Sequence, residues 1–249
     1  MMLAARLGLN VPKVWHLYLP EPAFIIERFD RAPGPEEPLR LHVLDGTQML
    51  NEPSYNKYSS ETFPKLKDLI EQCRNKAVAR MEVFRWIVFN TMVGNSDSHL
   101  KNISFIVDHE GRRVAPFYDL LCTAVYHTRV FLDEGAVWPN EKLASPVAGA
   151  NFFSDVTFDK LIDTGLELGL SKSAAVREVV KIVGRLADAA DEIIAQLESI
   201  LADPGAPQGA PSQMTKAAER RMLRSIRAIV IADMLRYVRL PVAAAKEPQ

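Results

Sequence analysis

Between Asn95 and Asp119 the chain sets out Asn95-Ser96-Asp97-Ser98-His99-Leu100-Lys101-Asn102, two short strand-like runs, and then Phe117-Tyr118-Asp119. No other stretch constrains the fold as much. A polar loop that follows the helix-ending Gly94 and leads into a hairpin needs a helical body with a small antiparallel sheet beside it. The turn Asp108-His109-Glu110-Gly111 has the chemistry of a tight reversal between strands at 103–107 and 112–116. Such a hairpin brings Asn102 and Asp119 to the two ends of one antiparallel pair.

The elements around this segment are read from periodicity and breakers. A short helix over 3–9 is followed by strands over 14–19 and 23–27, joined by Pro20-Glu21-Pro22. The stretch 31–38 is rich in Pro, Gly and charge and reads as a loop; 39–43 reads as a short strand, and 45–60 as polar and turn-rich. Helices are predicted over 61–73 and 76–93, the second with Met81, Phe84, Ile87, Val88 and Met92 at helical spacing. Residues 120–154 read as irregular. Helical patterns return at 158–168, 171–201 and 217–238, with a Pro/Gly-rich linker over 203–212 and a tail from 241. The fold class is α+β, mainly α.

Bulk properties exclude several functions. A chain of 249 residues buries one sizeable core or two smaller ones. A net charge of −1 gives no reason to expect a surface that coats nucleic acid or binds an acidic membrane. Cys73 and Cys122 are too few for a disulfide framework and lack metal-ligand spacing, so a reducing cytoplasm is expected. No signal peptide is read, and the longest apolar run, 83–93, is broken by Arg85 and Asn90. Neither G-x-S-x-G nor G-x-x-x-x-G-K-[ST] occurs.

The central segment suits phosphoryl transfer, which needs a group to orient an attacking hydroxyl, metal ligands and neutralised phosphate charge. Asp97, on a loop after a buried helix, is placed to accept a hydroxyl proton. The Asn102 amide oxygen is a hard ligand for Mg²⁺, and Asp119 offers a charged ligand from the opposite wall. Each of these residue types is also common in loops for its capping and turn chemistry. It is their order, together with the hairpin, that points to a nucleotide–metal site. Lys101 stands open between a phosphate contact and a solvated loop lysine. His99 stands open between supporting Asp97 and filling space behind the loop.

These residues resemble the HipA-like family of serine/threonine kinases, toxins of bacterial toxin–antitoxin pairs. The resemblance is carried by Phe24-Ile25-Ile26-Glu27-Arg28-Phe29-Asp30-Arg31, by Asp45-Gly46-Thr47-Gln48-Met49-Leu50-Asn51 with Tyr55, Lys57 and Tyr58, by 95–102 and by Pro116-Phe117-Tyr118-Asp119-Leu120. It runs in order over 1–130 and more loosely beyond. It implies a kinase-like C-terminal lobe with a remnant of the N-terminal lobe sheet. The implied boundaries are 1–38 for the remnant and hinge, 39–240 for the helical lobe and 241–249 for the tail.

The implied cofactors are ATP and Mg²⁺. Asp97 would be the catalytic base, assisted by Lys101. Glu27 and Phe29 would hold adenine through their backbones, Asp30 would contact ribose, and His99 would support the nucleotide site. Asn102 and Asp119 would bind the metal. The implied partners are a protein substrate (an aminoacyl-tRNA synthetase by family analogy), a DNA-binding antitoxin and a separate chain supplying the rest of the N-terminal lobe.

The family's Gly-rich phosphate loop and ATP-contacting lysine do not occur before Glu27. The expectation is therefore weak or absent transfer by this chain alone. A truncated gene product, half of a split kinase and a degenerate remnant remain as explanations. The alternative function is a non-catalytic, pseudokinase-like fragment that docks an antitoxin or another protein. Apolar surface on the two remaining strands is also expected to be exposed and to promote association.

Overall fold

The computed structural model describes residues 1–18, 22–53, 62–202 and 212–241. Tyr55, Lys57, Tyr58 and nearly all of the 203–212 linker lie outside them. The chain opens with α1 (Met2–Arg6), then β1 (Val14–Tyr18) and β2 (Pro22–Ile26), an antiparallel pair with Trp15 opposite Ile25 and His16 opposite Phe24. The stretch 39–43, read as one strand, splits in two. β3 (Arg31–Ala32) pairs with β4 (Leu39–Arg40), while β5 (His42–Asp45) enters a different sheet. A short helix, α2 (Gly46–Met49), follows where only turns were expected. Asp45 explains it: its carboxylate caps the Gln48 N–H, and the Gln48 side chain returns to the Asp45 N–H, a reciprocal capping box.

Helices α3 (Thr62–Glu71) and α4 (Lys76–Met92) form the pedestal of the molecule. The Asn75 side chain caps the start of α4 through the Val78 N–H. α4 packs against α3, α5 (Phe158–Glu167), α6 (Lys172–Ala202) and β7 (Gly111–Val114). Being apolar on nearly every side, it lies in the middle of the core with Val83, Phe84, Trp86, Val88 and Met92 shut off from solvent. Gly94 ends it in the left-handed region (φ 68°), where a Cβ would sit 2.6 Å from Val230 and 2.9 Å from Ala124.

The expected hairpin is present as β6 (Ser104–Asp108) and β7, and β5 joins as a third antiparallel strand with Asp45 opposite Ser104. Residues 120–154 are more ordered than expected. They hold a 3-10 turn over Thr123–His127 and the hairpin β8 (Lys142–Val147) and β9 (Ala150–Phe152), whose pairing breaks register between Lys142 and Val147. That irregularity hides the alternation that sequence reading depends on. At the C-terminal side, the single helix expected over 217–238 is α7 (Gln213–Ser225), a π-helical turn over Ile226–Ile231 and α8 (Ala232–Tyr237).

Candidate active site

Four segments meet at the end of α4. Asn95 is buried and works in three directions. Its amide nitrogen donates to Asn90 Oδ1 at 2.7 Å and to the Asp119 carbonyl at 3.3 Å, and its Oδ1 accepts the Asp97 N–H at 3.1 Å. The Ser96 N–H donates to the Thr123 hydroxyl at 2.7 Å, and that hydroxyl also reaches the Gly94 carbonyl. The loop is thus bolted to the helix that precedes it and to the segment past the hairpin.

Asp97 is held by its backbone while its carboxylate stays 38% exposed, with His99 Nε2 3.6 Å away. The Asn102 amide nitrogen donates to the Asp97 carbonyl at 2.8 Å. That commits the nitrogen end of the amide and leaves its oxygen as the end for a cation. Asp119 is exposed and adopts a left-handed backbone (φ 54°), unusual for a residue with a side chain. The Tyr118 hydroxyl donates to the Lys101 carbonyl at 2.7 Å and lies 2.7 Å from the Ser104 hydroxyl. This contact sits beside both Asn102 and Asp119 in the chain and draws the two ends of the hairpin together. Burial pushes the Tyr118 hydroxyl above its ordinary pKa, an effect partly offset by the Ser104 hydrogen bond and reinforced by the nearby Asp45 and Asp119 carboxylates. Gly46 packs so closely beneath the loop that a Cβ would lie 2.6 Å from the Leu100 carbonyl.

The hinge segment reaches the same place through Phe29, whose ring stacks on Tyr118 with centroids 5.7 Å apart. The Glu27 N–H is committed to the Lys13 carbonyl at 2.9 Å, so an adenine contact at Glu27 falls to its own carbonyl. Asp30 accepts a two-point contact from Arg28 at 2.9 and 2.7 Å and a third bond from Arg31 at 2.6 Å. The Arg28 hydrogen bond leads in holding this carboxyl down to about 2. A ribose hydroxyl of the kind expected at Asp30 would compete with two arginines. The Lys101 side chain is half-buried, and the structure assigns its carbonyl, not its ammonium, a role in the network.

Among the described residues no three His, Cys, Asp or Glu side chains gather into a metal cage. One amide oxygen and one carboxylate nevertheless make a set that Mg²⁺ accepts when phosphate oxygens and water supply the remainder. A large apolar cavity of about 450 Å³, walled in part by Val93 and Leu120, lies between the β1–β2 hairpin, α6 and the helices after 212. Its walls, among them Phe24, Phe89, Ile193 and Met222, suit packing rather than phosphate binding. Sequence reading missed Asn95, Tyr118 and Thr123 as site-builders. All three act through backbone groups of distant residues, which no spacing rule reveals.

Fold and loop define the helical lobe of a kinase-type protein. The chain belongs to the HipA-like C-terminal domain family, whose model matches residues 1–194. It is 34% identical over 143 residues to the serine/threonine-protein kinase toxin HipA of Shewanella oneidensis, covering 51% of this chain and 33% of that protein. It is 37% identical over 132 residues to the putative kinase Y4mE of Sinorhizobium fredii, covering 51% and 31%. The chain therefore spans about a third of the length of these curated relatives. Among solved structures, Shewanella oneidensis HipA in complex with HipB and operator DNA superposes with a TM-score of 0.76 at 25% identity, over 100% of this chain and 57% of that one. The Helicobacter pylori proinflammatory kinase CtkA, at TM-score 0.51 and 14% identity over 93% and 82%, shares the fold. No helix among the described residues is long and apolar enough to cross a membrane.

Proposed function

We propose that this chain is the catalytic lobe of a HipA-like serine/threonine protein kinase that uses Mg²⁺ and ATP. The observation that carries the reading is the double tie of the Asp97 backbone, to Asn102 on one side and through Asn95 to Asp119 on the other. Asn102 and Asp119 would hold Mg²⁺, which supplies charge neutralisation on the phosphates when bound. The exposed Asp97 carboxylate takes the proton of a substrate serine or threonine hydroxyl as its oxygen attacks the γ-phosphorus and the bond to ADP breaks. His99, 3.6 Å from that carboxylate, orients it. The carbonyl of Glu27 and the backbone of Phe29 receive adenine, and the Phe29–Tyr118 stack ties that hinge to the metal segment. Lys101 and Asp30 have peripheral roles at phosphate and ribose.

The likeness to the HipA–HipB–operator complex supports an antitoxin-type partner, and a protein substrate in the cytoplasm is part of the same proposal. A second reading, a docking fragment without chemistry, is favoured by one observation: Trp15 (46%) and Phe24 (61%) stand exposed on the β1–β2 hairpin.

Calorimetric titration of ATP into the chain with and without Mg²⁺, beside Asp119→Asn, separates the two. Mg²⁺-dependent binding that Asp119→Asn loses is the expected result. Absence of binding in the native chain sinks the catalytic reading and leaves the docking one. Transfer to a serine peptide is then assayed with the chain alone and with the remainder of a relative's kinase domain added in trans.

A further inference from the structure

We infer that Asn95 is the positioning residue that couples the base loop to the metal segment, an inference that rests on the function proposed above. Asn95 is 2% exposed and its amide is fully used. One end donates to Asn90 Oδ1 at 2.7 Å and to the Asp119 carbonyl at 3.3 Å, while the other accepts the Asp97 N–H at 3.1 Å. Asn90 is itself fixed, donating to the Trp86 carbonyl at 2.9 Å, and the Asn95 N–H returns to the Asn90 carbonyl at 2.9 Å. The anchor therefore starts in the rigid interior of α4 and ends on the two residues assigned to proton transfer and metal binding.

What Asn95 controls is specific. Asp119 sits at φ 54°, a conformation that a residue with a Cβ keeps only when its surroundings hold it there. The Asn95 amide grips the carbonyl of that same residue. Its oxygen grips the N–H of Asp97, whose own carbonyl holds the Asn102 amide. One side chain thus fixes the separation of a base and two metal ligands, and touches none of the reacting atoms. An isosteric carboxylate at 95 could not replace it, because two of its three partners are acceptor oxygens and require N–H donors.

The test compares Asn95→Ala with Val88→Ala, a core change in α4, the helix that precedes the loop, that removes no side-chain hydrogen bond. Amide hydrogen exchange is measured first, without nucleotide. Asn95→Ala is expected to speed exchange at residues 96–99 and 118–121 together, about tenfold beyond any change in Val88→Ala. Equal protection in the two variants overturns the coupling. ATP binding is then titrated across Mg²⁺ concentrations. The expected result is a roughly tenfold rise in the Mg²⁺ midpoint with metal-free ATP affinity held within twofold. An unchanged midpoint overturns the positioning role. If the native chain binds no Mg²⁺-ATP, the proposed function falls, whereas the exchange arm still decides whether Asn95 couples the loops. If Asn95→Ala does not fold, Asn95→Ser is measured in the same way, since its shorter side chain also abandons the Asp119 carbonyl.

Discussion

The β1–β2 hairpin and α4 are both strongly apolar, yet their side chains meet opposite fates. In α4, Phe84, Trp86 and Met92 are sealed inside. On the hairpin, Trp15, Leu17, Phe24 and Ile25 face solvent. Hydrophobic pattern therefore reports which side chains seek a partner, not whether the chain itself supplies one. The helix finds its partners in α3, α5, α6 and β7 and becomes the pedestal from which the candidate site projects. The hairpin keeps an open surface of the kind that promotes association.

Five changes sharpen this contrast, in falling order of effect. Phe84→Ala empties a fully buried position, and chemical denaturation is expected to register a loss of about 3–5 kcal/mol. Arg85→Met strands Glu178, which is 7% exposed and now accepts a hydrogen bond from Arg85 Nε at 2.7 Å. Burial works to raise the Glu178 pKa, and the Arg85 hydrogen bond and charge, helped by Lys181 and Arg177, more than reverse it. Losing that partner is expected to cost about 3 kcal/mol at neutral pH, less in acid where the carboxyl takes a proton. A loss that stays constant between pH 7 and pH 4 would show that Glu178 does not need its cation.

Between α5 and its neighbours α6 and α4 the spacing is tight enough to test with one methyl group. Gly165→Ala puts a Cβ 2.7 Å from that of Ala175 and 3.1 Å from the Phe84 ring. The gain in helix propensity offsets part of the clash, so about 1–2 kcal/mol should be lost in a thermal melt. By contrast, Trp15→Ser with Phe24→Ser should alter stability by only about 0.5 kcal/mol while reducing self-association in sedimentation velocity. A large destabilisation there would mean that the hairpin surface is packed rather than open.

The smallest effect concerns Asp30. Arg28 and Arg31 hold its pKa near 2, below the ordinary carboxylate value of 3.8. A depressed acid contributes its stability above the ordinary value and loses it as pH falls through the folded one. The stability gap between the native chain and Asp30→Asn should therefore be constant above about pH 5 and shrink towards pH 2. Because the group is only half-buried and in reach of solvent, the gap should be modest.

Much of the site's order was legible in sequence because it is local. Gly94 stops a helix, Asp108-His109-Glu110-Gly111 turns a hairpin, and Asn102 and Asp119 sit beyond its ends with Asp97 on the loop before it; the structure ties Asp97 to Asn102 directly and to Asp119 through Asn95. Less was legible where a residue acts at long range. Nothing in the spacing announces that β5 joins the hairpin through Asp45 and Ser104, or that Thr123 holds Ser96. Asp30 reads as an open carboxylate until its two arginines are seen folded back on it. The hairpin β8–β9 escaped because its register breaks, which erases the alternation of faces.

The central claim is that Asn102 and Asp119 share one metal ion beside Asp97. It is tested most directly by substituting paramagnetic Mn²⁺ for Mg²⁺ and recording amide NMR spectra with ATP present. Substoichiometric Mn²⁺ should broaden the Asn102 side-chain amide and the Asp119 backbone amide first, with the β1–β2 hairpin amides left sharp. Uniform broadening, or broadening centred on Glu219 at the rim of the apolar cavity, would contradict the claim.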